Sequence, residues 1–570
     1  MKIGNSNGKQ SPGYSGDNLS GMGYSRVNVV VGIACASSFV YVLSLFVMSV
    51  RPCLPSPCAS FTLAAENITI SESADIGNSL KGVSLIPHHP LDLKSGHSLP
   101  VGEGNSDAIR GTQLSRIVFG IAAATDMWWG RKEYLKLWWK PSKMRGYVFL
   151  DKKPYGNYWT SEFPPYKISE NTSRFRYTYK RGWRSAIRIS RIVSEMYRLG
   201  LPNVDWFVMG DDDTLFVADN LVQVLSKYDH TKMYYVGSNS ESHLQNILFS
   251  YDMAFGGGGF AISYPLAKAL AKMQDDCLSR YSYLFGSDDR MHACMAELGI
   301  PLTKEPGFHQ VSLISELNMV TAHYDVFQDG SDHYRSLKSQ FSFRSTFQLD
   351  IVGDISGLLA AHPVAPLVTL HHLEKLRPIF PNTATKNFTR VRALSHLLKA
   401  AEIEAASVAQ QSICYDSRRK WSFSVSWGYV VQVLKGFITP RELEVAQRTF
   451  LSWHRESSKV EFPFNTRANP DDICKQPTRF FMDSVKGPAH DSQDLMEAVF
   501  VREFNGQMDC AEQLQPLSAV KRIRVMRKKT HELWYQTPRR SCCRIRKWKN
   551  ENIDIHVGEC EEGESLVSSF

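Results

Sequence analysis

A chain of 570 residues with 43% hydrophobic and 22% charged residues is long enough for several domains and too apolar for an intrinsically disordered protein. Its formal net charge of +9 is modest and spread along the chain, so nothing points to a nucleic-acid partner. Residues 1–26 are rich in Gly, Ser and Asn and predict a short cytoplasmic tail. Residues 27–50 are almost wholly apolar and long enough to cross a bilayer as one helix.

Basic residues around this apolar segment predict its orientation. Lys2, Lys9 and Arg26 precede it, whereas after Arg51 the next Lys or Arg is Lys81. Because cytoplasmic flanks carry the excess of positive charge, we expect a type II, single-pass signal-anchor with the rest of the chain in the lumen. The alternative is a cleaved signal peptide, whose apolar region would here be unusually long.

Residues 51–113 carry Pro, Ser, Gly and His without sustained periodicity, which predicts a stem that holds a catalytic domain off the membrane. Cys53 and Cys58 lie in this stem and could pair with each other or link two chains into a homodimer. Three glycosylation sequons agree with a lumenal body, at Asn67, Asn171 and Asn387.

From residue 117 onward, short apolar runs alternate with stretches of helical periodicity. Buried strands are predicted at 117–122, 147–150 and 205–210, and helices around 131–139 and 185–199. This alternation predicts a mostly parallel sheet with helices on both faces. Ligands of such sheets bind at the carboxyl ends of the strands.

The character of the chain changes near residue 400. Residues 421–427 alternate apolar and polar side chains, which predicts a half-exposed strand. The last third also holds an even number of cysteines suited to disulfides, although their connectivity cannot be deduced from sequence. They are Cys414, Cys474, Cys510, Cys542, Cys543 and Cys560. We therefore expect residues 399–570 to form a β-rich domain stapled by disulfides.

The sharpest chemical feature is the acidic triplet Asp211-Asp212-Asp213, directly after a predicted strand. Three adjacent carboxylates repel one another unless a cation neutralises them, and Mn²⁺ or Mg²⁺ prefers such oxygen ligands. A solvated acidic loop is the plainer alternative. Apolar residues on both sides of the triplet favour the metal, because burial makes an uncompensated cluster costly.

Three weaker features accompany the triplet. Four glycines at 256–259 let the backbone approach a ligand closely, with Gly257 and Gly258 as candidate substrate-binding positions, although a flexible loop is the commoner explanation. The pair Asp288-Asp289 opens a predicted helix and is either a cap or a general base. The pair His371-His372 is structural unless it lies near the metal cluster.

Taken in order, these motifs resemble the Fringe-like branch of the β-1,3-glycosyltransferases (glycosyltransferase family 31), especially its plant group with an extra C-terminal domain. The match runs from about residue 114 to 381. Its motifs are WFVMGDDD at 206–213, FGGGGF at 255–260, SDD at 287–289 and HHL at 371–373, with RSCC at 540–543 in the extension.

This resemblance implies a GT-A (Rossmann-like) glycosyltransferase domain over residues 114–398 that uses a UDP-sugar and Mn²⁺ (or Mg²⁺). Asp213, Asp211 and His372 would hold the metal, with His371 as a further candidate ligand. The implied enzyme is a Golgi membrane protein that transfers a hexose or N-acetylhexosamine to a glycan or glycoprotein acceptor in the lumen. The implied product is a β-1,3 linkage formed with inversion.

The resemblance also implies roles for four acidic residues. Asp289 would remove the proton of the acceptor hydroxyl, with Asp288 as the alternative base in an adjacent pair. Asp212 would face the ribose or the sugar, and Asp151 would lie near the uridine.

One segment departs from the family pattern, because residues 311–347 intervene where the family runs almost directly onward. They are either a surface insertion or an intron retained in the gene model, and they precede the histidines. This leaves open a catalytically silent scaffold or glycan-binding protein of the same fold. A metal-dependent phosphotransferase is the other rival, but the chain has no phosphate-cradling motif and no Asp at the end of its first strand.

Overall fold

The computed structural model describes residues 111–156, 159–180, 182–310, 352–382, 386–451, 463–488, 495–503, 510–549 and 551–567. All of them belong to one compact unit, Glu103–Phe570. The predicted membrane segment, the stem, the sequon at Asn67 and the segment 311–347 lie outside the described residues. Within the ranges described, no helix has both the length and the apolar character needed to cross a membrane.

The first part of the described chain alternates strands and helices. Its strands are β1 (Ile117–Ala122), β2 (Arg145–Leu150), β3 (Tyr166–Ile168), β4 (Trp206–Asp211), β5 (Leu215–Phe216), β6 (Tyr235–Gly237), β7 (Phe260–Ser263), β8 (Leu302–Lys304), β9 (Phe308–Gln310), β10 (Val352–Gly353) and β11 (Thr369–His371). Its helices are α1 (Trp128–Lys136), α2 (Ser185–Ser190), α3 (Ile192–Arg198), α4 (Ala218–Leu225), α5 (His243–Leu248), α6 (Tyr264–Arg280), α7 (Ser287–Glu297), α8 (Ser356–Ala360) and α9 (Arg390–Ile403).

Seven of these strands form one mixed sheet in the order β3-β2-β1-β4-β7-β6-β8. Strand β7 is antiparallel to β4 and β6, and the other pairings are parallel. Successive residues of β1 point to opposite faces, so that Phe119 packs into one apolar core and Val118 into another. Because helices cover both faces, the α/β, GT-A (Rossmann-like) fold predicted from the sequence is confirmed.

A second, three-stranded sheet links the acidic triplet to the histidines. Its order is β5-β11-β9, with β11 antiparallel to β5 and parallel to β9. Strand β5 begins two residues after Asp213, and β11 ends at His371. This short sheet is therefore the element that carries residues far apart in sequence to one place.

The C-terminal part of the chain forms a closed eight-stranded barrel in the order β12-β13-β14-β18-β19-β20-β22-β21. The strands after β11, including three outside the barrel, are β12 (Gln411–Asp416), β13 (Trp421–Ser426), β14 (Val430–Lys435), β15 (Ala446–Gln447), β16 (Phe450–Leu451), β17 (Thr466–Arg467), β18 (Thr478–Lys486), β19 (Leu495–Arg502), β20 (Arg522–Lys528), β21 (Cys542–Lys549) and β22 (Asn552–Gly558). The short helix α10 (Pro440–Leu443) lies beside them. Closure leaves no free sheet edge.

One prediction about the barrel is wrong in detail, because strand β13 is buried on both faces rather than half-exposed. Its serines are buried with hydrogen-bond partners: the Ser426 hydroxyl donates to the carbonyl of Leu359 in α8 (3.1 Å), and the Ser422 hydroxyl donates to the carbonyl of Gly436 (2.8 Å). The alternating pattern is real, but the face that carries the serines meets other parts of the protein instead of water.

Helix α9 joins the two parts of the chain. The Nε2 atom of His396 lies 2.9 Å from the carbonyl oxygen of Met482 in β18, and apolar residues of both parts form one continuous core. The domain boundary expected between residues 398 and 399 therefore falls inside α9. The two parts share a packed interface rather than a linker.

The six cysteines of the last third all form disulfides, as predicted. The pairs are Cys414–Cys543, Cys474–Cys510 and Cys542–Cys560. The first pair lies at the weakest seam of the barrel, because β12 and β21 share a single backbone pairing, Ile413 with Cys542. The Cys414–Cys543 disulfide therefore joins β12 to β21 covalently, where few hydrogen bonds connect the two strands.

We expect the double variant Cys414→Ser, Cys543→Ser to lose about 2–4 kcal/mol of unfolding free energy, because the bond constrains a long loop of the unfolded chain. Both cysteines are replaced together, because a single remaining thiol could undergo thiol–disulfide exchange with the nearby bond Cys542–Cys560. Denaturant unfolding followed by tryptophan fluorescence measures the change. An unchanged denaturation midpoint would show that the seam is stable without the bond.

Candidate active site

Several of the predicted site residues line one solvent-open cavity. Its lining includes Asp211 at the end of β4, His371 at the end of β11 and Asp288 in the first turn of α7. Gly257, from the loop before β7, and His372 also line it. Four of the sequence motifs thus meet where the carboxyl ends of β4 and β11 come together, as ligand sites in α/β sheets do.

The acidic triplet and the histidines lie within contact distance of one another. Nε2 of His371 is 3.1 Å from Oδ1 of Asp213 and 3.6 Å from Oδ2 of Asp211. Nε2 of His372 is 4.0 Å from Oδ2 of Asp213. One ligand atom from each of Asp213, His371 and His372 falls within 4.8 Å of the others, which is the spacing of a metal-binding group.

The electrostatics of the cluster show how much negative charge it holds. Burial raises the pKa of Asp211 to about 6 and that of Asp212 to about 7. Burial would also raise the pKa of Asp213, but the charge and hydrogen bond of His371 lower it below its usual range. Burial lowers the pKa of His371, yet the same ion pair with Asp213 raises it overall. The contact between Asp213 and His371 therefore favours the charged form of both side chains.

A divalent cation fits this arrangement. Among the described residues, Oδ2 of Asp212 and Oδ2 of Asp213 are buried and accept no hydrogen bond. A buried acceptor without a hydrogen-bond donor costs free energy, and coordination of a metal ion is one way to compensate for it. His372 adopts a left-handed backbone conformation (φ 59°), which a non-glycine residue rarely does and which is common at functional sites. Carboxylate and imidazole are both ligand types that divalent cations use in proteins.

Arg131 of α1 is a part of the site that the sequence reasoning missed. Its guanidinium donates to Oδ1 of Asp212 (3.0 Å) and to both carboxylate oxygens of Glu374 (2.7 and 3.2 Å), and it lies 3.4 Å from Oδ2 of Asp213. It thereby joins the turn after β4 to the turn that follows the histidines. A lone basic residue in a predicted helix gave no signal of this role.

Gln310 at the end of β9 was also missed. Its side-chain oxygen lies 2.8 Å from Nδ1 of His371, and an amide oxygen only accepts hydrogen bonds. Nδ1 of His371 must therefore carry the proton, which turns Nε2 toward Asp213. Such a partner fixes the tautomer and orientation of a metal-binding histidine.

The glycine loop supports this histidine at close range. A methyl group at Gly257 would lie 2.0 Å from Cε1 of His371, so only glycine fits there. The Thr214 hydroxyl donates to the carbonyl of Gly257 (2.7 Å), which ties the loop to the acidic turn. At Gly258 a methyl group would come within 3.3 Å of Gln310. Gly257 lines the cavity, whereas Gly258 does not, although its neighbour Gln310 does.

The adjacent acids at the start of α7 are placed differently. Asp288 lines the cavity, and its carboxylate accepts hydrogen bonds from the Ser287 hydroxyl (3.0 Å) and the Gly256 N–H. Burial raises the pKa of Asp288 above its ordinary value despite these bonds. Asp289 is half-buried beside Arg290 and does not line the cavity described here. The geometry therefore favours Asp288 over the neighbouring acid that the resemblance favoured.

Asp151 stands apart from the cavity lining. It follows β2, and its carboxylate accepts a hydrogen bond from the N–H of Thr125 (2.8 Å). Burial raises its pKa, but the Thr125 bonds and the charge of Arg188 lower it overall. Arg188 of α2 in turn donates to the carbonyls of Ala123 and Phe149 (both 3.0 Å), at the ends of the two central strands.

A fourth disulfide, Cys277–Cys294, was not predicted and joins α6 to α7. It anchors the helix that carries Asp288. Cys294 falls on the predicted helix that Asp288 opens, but nothing in the sequence marked Cys277 as its partner. The sequons that the structure describes, at Asn171 and Asn387, have exposed asparagines.

Fold and site together are glycosyltransferase-like, and comparisons with known proteins agree. The chain belongs to the family described as "Protein of unknown function, DUF604", whose model matches residues 245–326 and 341–543, half of the chain. It is also similar to β-1,3-glucosyltransferases: 33% identical over 107 residues to that of Mus musculus and 34% over 105 residues to that of Homo sapiens. These matches cover 19% and 18% of this chain and 21% and 20% of the relatives, so the chain spans about a fifth of their length.

Similar solved structures are also glycosyltransferases by description. The mannosyltransferase PcManGT of Pyrobaculum calidifontis, in complex with GDP-Man and Mn²⁺, is 12% identical with a TM-score of 0.25 over 39% of this chain and 67% of its own. Mouse xyloside xylosyltransferase 1 is 8% identical with a TM-score of 0.22 over 34% and 86%. Because these TM-scores are low, the fold assignment rests on the strand order and not on these structures.

The close approach of Gly257 to His371 predicts that a larger residue at position 257 disturbs the metal site. The variant Gly257→Ala must displace the imidazole, so we expect Mn²⁺ affinity to fall about tenfold or more, as when a supporting contact of a metal ligand is lost. Electron paramagnetic resonance of free Mn²⁺ measures the affinity. Gly130→Ala is the matched control, since nothing lies within 4 Å of its added methyl group. Equal Mn²⁺ affinity in Gly257→Ala and the wild type would contradict the supporting role.

Proposed function

We propose that this protein is a metal-dependent glycosyltransferase that transfers a sugar from a UDP-sugar donor to a hydroxyl group of a glycan or glycoprotein. The observation that carries the proposal is that Asp211, the two histidines and Asp288 line one cavity, while Asp213 lies within contact distance of both histidines. The short match to β-1,3-glucosyltransferases supports the same class of reaction.

The metal site would serve the leaving group. Asp211, Asp213, His371 and His372 are the residues that would hold Mn²⁺ or Mg²⁺, which when bound offsets the negative charge of a diphosphate. Arg131 keeps Asp212 and Asp213 in place and limits their mutual repulsion. Asp212 pairs with this arginine, which we propose as its role in place of a direct contact with the ribose.

Asp288 would act on the acceptor. In the proposed reaction the acceptor oxygen forms a bond to the anomeric carbon while the bond between that carbon and the phosphate oxygen breaks. The electron pair leaves with UDP, and the hydroxyl proton passes to the Asp288 carboxylate. A buried carboxylate with a raised pKa is a better proton acceptor than an exposed one, which suits a general base. Direct displacement of this kind inverts the anomeric centre.

The finer assignments follow from the sequence. A plant Fringe-like enzyme that forms a β-1,3 linkage, transfers a hexose or N-acetylhexosamine and resides in the Golgi membrane is our proposal for the full chain. The motif match supports the linkage, and the apolar segment 27–50 supports the type II anchor. Exposed Asn171 and Asn387 are compatible with a lumenal domain.

Adjacent acids give the sharpest test of the catalytic assignment. We expect Asp288→Asn to bind UDP normally. Its rate of UDP release from UDP-sugars should fall about a hundredfold or more, because the general base is gone. Asp289→Asn should retain most of that turnover, since its side chain lies off the cavity. Turnover that is lost in Asp289→Asn and kept in Asp288→Asn would assign the base to Asp289 instead.

A further inference from the structure

The outer surface of the barrel is rich in arginine and lysine where β20, β22 and β21 lie side by side. Strand β20 is parallel to β22, and β21 is antiparallel to it. Ile523 and Ile555 point into the core, so the residues that alternate with them point outward. The register places Arg522 beside Asn552 and Asn552 beside Lys549. Since neighbouring strands are about 4.8 Å apart, cations of β20 and β21 stand about 10 Å apart across β22.

Carboxylates neutralise only part of this positive charge. Arg524 pairs with Asp554 (2.9 Å) and lies 3.8 Å from Glu497. Arg544 pairs with Glu561 (3.1 Å). Five further cations of β20 and β21 are exposed and form no ion pair among the described residues. We call these five the basic face: Arg522, Lys528, Arg546, Lys547 and Lys549.

A histidine on the middle strand responds to this excess of positive charge. His556 of β22 is half-buried and lies opposite Arg544 in the register. Burial lowers its pKa, and the charges of Arg546 and Arg524 lower it further, although Asp554 raises it. The cations of β20 and of β21 therefore both act on β22, which makes the three strands one electropositive surface.

The composition of the surface indicates which kind of polyanion it fits. None of the large hydrophobic side chains exposed in the described part of the chain lies on β20, β21 or β22, whereas membrane-surface elements insert such side chains beside their cations. Trp548, the only Phe, Tyr or Trp on these strands, is half-buried with the guanidinium of Arg419 4.7 Å over its ring. It is therefore poorly placed to stack on a nucleic-acid base. The surface provides charge and hydrogen-bond donors to a hydrophilic partner.

We propose that the basic face binds a linear anionic polysaccharide whose charges are the carboxylates of uronic acids. Guanidinium groups match carboxylates through two parallel hydrogen bonds, and lysine ammonium groups add further donors. Each exposed contact is weak, but several contacts along one chain add up to useful affinity. The outside of a closed barrel is convex, so a linear chain can bend over more of these cations than a flat bilayer can reach. This assignment goes beyond the proposed transfer reaction, because no described residue of the barrel lines the cavity.

The test is the binding of the full chain, kept in a non-ionic detergent, to immobilised polygalacturonate, measured by biolayer interferometry. Fully methyl-esterified polygalacturonate has the same backbone without the charge and is the matched ligand. We expect saturable binding to polygalacturonate that weakens as salt is added, and little binding to the ester. The triple variant Lys528→Gln, Lys547→Gln, Lys549→Gln should bind polygalacturonate about tenfold more weakly, as expected for the loss of three exposed charge contacts.

A second triple variant is the matched control. Lys140→Gln, Lys268→Gln, Lys272→Gln removes the same charge from the α/β domain, where these three lysines are exposed and form no ion pair among the described residues. It should bind polygalacturonate as the wild type does. Equal weakening in the two triple variants would assign the effect to net charge and overturn the proposal, as would equal binding of polygalacturonate and its ester. Binding to phosphatidylserine vesicles with none to polygalacturonate would overturn it in favour of a membrane surface.

Discussion

The structure of the site depends on the neutralisation of three adjacent carboxylates. Asp212 and Asp213 are almost completely buried, and each retains an oxygen that accepts no hydrogen bond among the described residues. Among the described residues, the Arg131 guanidinium and the His371 imidazole lie in direct contact with them. Such a cluster is tolerable in the apoprotein because burial keeps Asp211 and Asp212 partly protonated near neutral pH. A cation that binds to this cluster would displace the protons of these carboxyl groups.

The fold supplies these charges from distant parts of the chain. The small sheet of β5, β11 and β9 brings the histidines under the acidic turn, and α1 brings Arg131 from the other direction. No described residue of the barrel lines the cavity. It packs against the α/β domain through a shared core, in which Tyr535 donates to the side chain of Asn220, while Asn220 donates to the carbonyl of Leu367 just before β11. We infer that the barrel steadies the segment that ends in the histidines.

The sequence predicted most of this architecture where the signal was local. The apolar run at 117–122 is a strand with those bounds, and the acidic triplet does follow a buried strand. Contacts between distant residues were not predictable, because nothing in a single helix marks Arg131 as the partner of Asp212 and Glu374. The pairing of Gln310 with His371 was hidden for the same reason. The sequence also could not tell which of Asp288 and Asp289 lines the cavity, because adjacent helical residues point about 100° apart.

The most direct test of the account is a calorimetric titration of UDP into the compact unit Glu103–Phe570, with and without Mn²⁺. The carboxylates of the cluster repel a diphosphate unless a bound cation offsets their charge. We therefore predict saturable UDP binding that requires Mn²⁺ and disappears in Asp213→Ala. UDP binding that is equally strong without Mn²⁺, or equally strong in Asp213→Ala and the wild type, would contradict the metal assignment.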